Sequence, residues 1–145
     1  YGKCAYQDDL SSVLEKIEKA DALILGSPIY FGNVSGEVRS FMERTLFQYL
    51  VYDKDYSSLA AKKKKVSFIY TMNVTEERAA EWGYTKTLGT MEKYFARIFG
   101  ATESLYVTRT NFQTMLIMSL RPGTKLQKPN SATRFFRKTA KKPLP

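Results

Sequence analysis

The chain has no histidine and one cysteine, Cys4, among its 145 residues. Without imidazole there is no Ser–His or Cys–His nucleophile and no histidine metal ligand. A single thiol excludes an internal disulfide framework and predicts a reducing compartment, the cytoplasm. No apolar run approaches the roughly 20 residues that span a bilayer, so no membrane partner is expected. The opening, YGKCAYQDDL, has neither a secretory signal nor a Met, and is read as starting inside a longer protein. Acidic residues are missing from one stretch only. Residues 1–113 hold 15 Lys/Arg and 14 Asp/Glu, whereas residues 114–145 hold 8 Lys/Arg and no acid. The net charge of +9 therefore belongs to a tail beginning near Thr114, and the body is close to neutral.

What the chain does have is alternating helical and strand patterns over a length suited to one domain. Asp8 or Asp9 can cap a helix over Leu10–Lys19 with Leu10, Val13, Leu14 and Ile17 on one face. Ala22–Gly26 reads as a strand apolar on both faces, as in parallel sheets. Ser35 is an N-cap for a helix to about Tyr49, with Val38, Phe41, Met42 and Leu46 inward. A polar connection then ends in four lysines, Lys62–Lys65, read as a solvated run. Val66–Thr71 is a second strand, and Glu76–Trp82 reads as a helical turn. Tyr84–Phe99 is a helix closed by Gly100, with Leu88, Met91, Phe95 and Ile98 as its stripe. Ser104–Thr108 is a third strand. Such alternation predicts right-handed crossovers and a parallel sheet.

The most informative stretch joins the first strand to its helix. Ser27, Pro28, Ile29, Tyr30, Phe31, Gly32 and Asn33 are read as a loop at the carboxyl end of the strand, where open α/β sheets bind ligands. Exposed backbone groups beside flat rings suit a planar, hydrogen-bonding heterocycle. Tyr30 and Phe31 taken singly read as ordinary core or interface aromatics; the motif around them shifts that reading. Trp82 and Tyr84 read as packing a loop against the core or a neighbouring subunit, and Asp53 and Asp55 as polar connection.

SPIYFGNVSG with its following helix, GKC followed by DD, FIYTMN and GTMEKYFARIFGA together resemble the flavodoxin-like FMN-binding family. The group includes NAD(P)H-dependent FMN reductases, multimeric flavodoxins and iron–sulfur flavoproteins, and the resemblance spans Gly2 to about Gln113. It implies an α/β fold, a partial flavodoxin-like three-layer α/β/α sandwich that lacks the first strands and the phosphate loop. It implies that residues 27–33 lie beside the isoalloxazine ring of FMN and that Thr71, Met72 and Asn73 form a second flavin loop. It implies NAD(P)H as co-substrate and a quinone, flavin or other small molecule as electron acceptor. It also implies homo-oligomers among full-length relatives. No side chain is assigned as a catalytic acid or base, and no metal ligand is assigned. In the iron–sulfur branch closely spaced cysteines precede this point and Cys4 resembles the last of them; one thiolate cannot hold a cluster that needs four ligands. A chain without the phosphate loop is expected to bind FMN poorly, or to be an inactive truncated domain.

The tail, residues 114–145, does not continue the resemblance. Re-read one nucleotide out of frame with freely chosen wobble bases, it becomes balanced in charge and helical in period. It is therefore read as frame-shifted, loosely ordered and without core partners. The competing reading is nucleic-acid binding by its eight basic residues. That stretch has no base-reading module, so nucleic acid is not the expected partner.

Overall fold

A computed structural model describes residues 2–108 and the backbone of 134–139. The elements are α1 (Asp9–Lys19), β1 (Ala22–Tyr30), β2 (Asn33–Val34), α2 (Gly36–Phe47), β3 (Lys65–Thr71), α3 (Glu76–Glu81), α4 (Tyr84–Phe99), β4 (Thr102–Thr108) and β5 (Arg134–Thr139). The sheet order is β2-β1-β3-β4-β5. β1, β3 and β4 are parallel, as the alternation predicts, while β2 and β5 pair antiparallel at the two edges.

Local chemistry explains the helix starts. Asp8 caps α1 in a capping box with Ser11, and Ser35 caps α2 by accepting from the Val38 amide. α4 ends at Gly100, whose φ of 115° is open to glycine alone at little cost. The core joins Met42 and Leu46 of α2, Leu88, Met91, Phe95, Ile98 and Phe99 of α4, and Leu25, Val66, Phe68, Tyr70 and Tyr106 of the sheet. Phe68, Phe95 and Phe99 are fully buried and meet at ring-centroid distances of 5.3 and 5.9 Å.

Four features depart from the sequence reading. First, β1 runs on to Tyr30, so Ser27, Pro28, Ile29 and Tyr30 are strand residues and not loop. The reason is β2: Tyr30 pairs with Asn33 and Ile29 with Val34, closing a hairpin whose two turn residues are Phe31 and Gly32. Second, β1 is not covered on both faces. Leu25 and Ser27 are buried, but Ala22, Gly26 and Pro28 are exposed and Ile24 is 68% exposed. α2 and α4 share the core on one face of the sheet, and α1 lies alongside α2, with Leu14 and Glu18 flanking a small cavity beside Gln48. No helix among the described residues lies on the other face.

Third, the lysines are a solvated run only in part: Lys62, Lys63 and Lys65 are exposed, but Lys64 is not. Lys64 is 5% exposed and its Nζ donates to the carbonyls of Glu18 (2.8 Å) and Ala20 (3.0 Å). Lys62 donates to the Lys19 carbonyl and to Asp21, and Lys63 to the Ile98 carbonyl. Carbonyls at a helix C-terminus lack intrahelical donors, so the three ammonium groups complete the ends of α1 and α4. Fourth, the backbone of Arg134–Thr139 is a strand against β4, where the sequence reading has no element. Residues 109–133 and 140–145, on which most of the frame-shift reading falls, lie outside the described residues.

Candidate functional site

The candidate residues meet at the carboxyl ends of β1 and β3. These strands are neighbours, and their register pairs Ser27 with Tyr70 and Pro28 with Thr71. The 27–33 segment and Thr71–Asn73 are thereby brought side by side, as the sequence reading expects of its two loops.

Each residue has a distinct place. Ser27 is 4% exposed; its Oγ donates to the Pro28 carbonyl (2.7 Å) and accepts from the Ser35 amide (3.1 Å). This one hydroxyl ties the strand end to the start of α2. Pro28 is exposed, Ile29 is half-buried, and Tyr30 is 54% exposed. Phe31 is fully exposed at φ 52°, and Gly32 follows at φ 81°. Two successive positive φ values are the signature of a type I′ hairpin turn, which glycine tolerates and phenylalanine does not favour. Asn33 accepts from the Val34 amide through its side chain (2.9 Å). In the second segment Thr71 is half-buried and Asn73 exposed, whereas Met72 is a core residue whose amide donates to the Val107 carbonyl (2.9 Å). The Met72 amide is therefore committed to the sheet.

Tyr84, at the start of α4, supports the hairpin. A Cβ added to Gly32 would stand 2.9 Å from the Tyr84 ring. Trp82 lies 5.7 Å from the same ring, is half-exposed, and carries the Arg78 guanidinium over its own face at 5.8 Å. Phe31, Gly32, Tyr84, Trp82 and Arg78 thus make one aromatic border beside the two segments. The sequence shows the rings but not this contact; its only trace is Gly83, left-handed at φ 71°, which sets where α4 begins.

The structure fits a planar aromatic ligand on two counts. Strained backbone at Phe31 presents a bare ring to solvent, and Asn33 beside the turn is exposed, whereas Gly32 is buried against the Tyr84 ring. Strain of this kind costs about 1–3 kcal/mol and collects at ligand-binding turns.

Cys4 stands apart. Arg44 Nη2 donates to its sulfur at 3.4 Å, also pairs with Asp8, and lies over the Tyr6 ring. The guanidinium holds the Cys4 thiol and the Asp8 carboxyl below their usual ranges. Among the described residues no cluster of three or more His, Cys, Asp or Glu could hold a metal ion. No described helix is long and apolar enough to cross a membrane.

Comparison with known proteins agrees with the fold. A family model described as flavodoxin-like fold matches residues 3–124. An iron-sulfur flavoprotein of Archaeoglobus fulgidus is 48% identical over 44 residues, 30% of this chain and 22% of the relative. One of Methanocaldococcus jannaschii is 48% identical over 44 residues, covering 30% and 23%. One of Methanosarcina thermophila is 30% identical over 43 residues, covering 30% and 22%. The matches span little more than a fifth of the length of these relatives.

Proposed function

The chain belongs to the flavodoxin-like fold family, and from that premise we propose that it is the ring-binding part of an FMN-dependent electron-transfer protein. The observation that carries the reading is the pairing of Pro28 with Thr71, which sets the Phe31–Gly32 turn beside Thr71–Asn73 at the carboxyl edge of the sheet. The exposed backbone groups of Asn33 and Asn73 would hold the pyrimidine edge of the ring, and Tyr30 and Phe31 would supply apolar surface. A bound flavin would supply the redox chemistry, hydride transfer from NAD(P)H and electron transfer to a quinone, a second flavin or another small acceptor. The residues of the chain bind and orient; none acts as acid or base. Cys4 is the one cysteine of the sequence, and an iron–sulfur cluster draws on four, so these residues alone cannot hold a cluster. Assembly into homo-oligomers in the cytoplasm belongs to the same proposal.

Titration of FMN fluorescence tests the site. The chain is expected to quench FMN saturably. Gly32→Ala, which drives a methyl group into Tyr84 at a positive φ, is expected to weaken binding, while Asp55→Asn in the remote connection leaves it unchanged. Equal binding by Gly32→Ala and the unaltered chain would remove the site assignment.

A further inference from the structure

Ser27, Tyr70 and Tyr106 form one cross-strand row on the helix-covered face of the sheet. Ser27 begins the ring-facing segment; Tyr70 and Tyr106 are fully buried, with ring centroids 5.3 Å apart. α4 places Glu92 opposite them, among Leu88, Met91 and Phe95, and this carboxyl is only 4% exposed. Tyr106 Oη donates to Glu92 Oε1 at 3.3 Å. Tyr70 Oη has no hydrogen-bond partner among the described residues, though it faces the same carboxyl. Burial and the Glu92 charge push both phenols well above their usual range, so both remain O–H donors.

Packing does not explain Glu92. Taking a carboxylate out of water is costly unless donors satisfy it, and an apolar side chain of the same volume often serves a core as well or better. α4 buries five apolar residues, Leu88, Met91, Phe95, Ile98 and Phe99, and needs no acid to pack. What distinguishes the position is its place beneath the carboxyl ends of β1 and β3. Strands are spaced about 4.8 Å apart, so Tyr106 is about 10 Å from Ser27 along the row. Across a core of low dielectric a charge is felt over that distance far more than in water.

We propose that Glu92, held by Tyr106 and standing beside Tyr70, is a positioning and charge-setting residue that lowers the reduction potential of the flavin bound at the 27–33 and 71–73 segments. The inference rests on the flavin reading above. Its sign follows from Coulomb's law: an electron added to the ring brings negative charge toward a fixed carboxylate, so the reduced form is disfavoured.

The test is the midpoint potential of the FMN-loaded chain, measured by equilibration with a reference dye. Glu92→Gln keeps an acceptor for Tyr106 and removes the charge; its potential is expected to be more positive, with affinity for oxidised FMN unchanged. Glu92→Asp restores the charge and is expected to return the potential toward that of the unaltered chain. Should Glu92→Gln fail to fold, Glu92→Met removes the same charge without leaving an amide in the core. A potential indifferent to loss of the charge, with FMN still bound, overturns this proposal alone. An unaltered chain that takes up no FMN overturns the flavin reading, and this inference with it.

Discussion

Phe31 shows how one residue can work against the fold it belongs to. Its φ of 52° and full exposure contribute strain and no burial. Phe31→Gly is therefore expected to raise the melting temperature, by an amount corresponding to about 1 kcal/mol, while weakening FMN binding. A variant both less stable and equally tight would show that the ring is held by packing instead. Arg44 is a second residue of this kind. It stabilises the Cys4 thiolate and the Asp8 carboxylate together, so Arg44→Met is expected to slow alkylation of Cys4 by iodoacetamide at neutral pH. Asp8 has its folded pKa lowered, chiefly by Arg44. Its contribution is fully present above its unfolded value of about 4 and is lost as pH falls through the lower folded value. The melting temperature of Asp8→Asn should accordingly fall less steeply in acid than that of the unaltered chain.

At the scale of elements, helix ends decide more than helix middles. The 62–64 lysines are bound to carbonyls of α1 and α4, and Lys64 does so from within the core. Lys64→Ala leaves the Glu18 and Ala20 carbonyls without their ammonium donor. Charge-assisted hydrogen bonds are worth about 1.5–3 kcal/mol, and a loss of that size in urea denaturation is expected. Lys64→Met, which keeps the apolar stem, should recover only the packing part. A neutral Lys64→Ala would show that its two hydrogen bonds add nothing to stability. The β1–β2 hairpin makes the same point for strands, since two residues of antiparallel pairing convert what reads as a loop into the end of a strand.

For the molecule as a whole, the consequential feature is the uncovered side of β1. Ile24 is 68% exposed on a strand whose outer edge, among the described residues, pairs only at Ile29 and Tyr30. An exposed apolar strand with free backbone groups is a template for association. The chain is therefore expected to self-associate as its concentration rises, seen as a growing mass by light scattering. Ile24→Lys should suppress that growth, because a charge on this face opposes the approach of a second strand. A concentration-independent monomer would show the face to be covered. At the opposite edge β5 is antiparallel, so the sheet is not wholly built from the crossovers that its first three long strands share.

Periodicity and capping chemistry were enough to establish the elements. Every helix and parallel strand from Asp9 to Thr108 appears near its expected bounds except the end of β1, because the apolar stripes, Asp8, Ser35 and Gly100 act within a few residues of where they stand. In the segment from Ser27 to Asn33 only the turn at Phe31 and Gly32 was legible, because an aromatic–glycine pair marks a chain reversal locally while the strand before it depends on pairing with β2. The partners of these residues were not legible, because they are distant in the chain. Lys64 finds its carbonyls 44 and 46 residues away, Arg44 finds Asp8 at 36, and Tyr84 meets Gly32 across two strands and two helices. Nothing in the composition of α4 marks Glu92 for burial, since a lone acid on an amphipathic helix reads as solvated. Tertiary packing alone decided that it faces Tyr106 across the core, for burial depends on which face meets the sheet and hydrogen bonds form between whatever groups that meeting brings within reach.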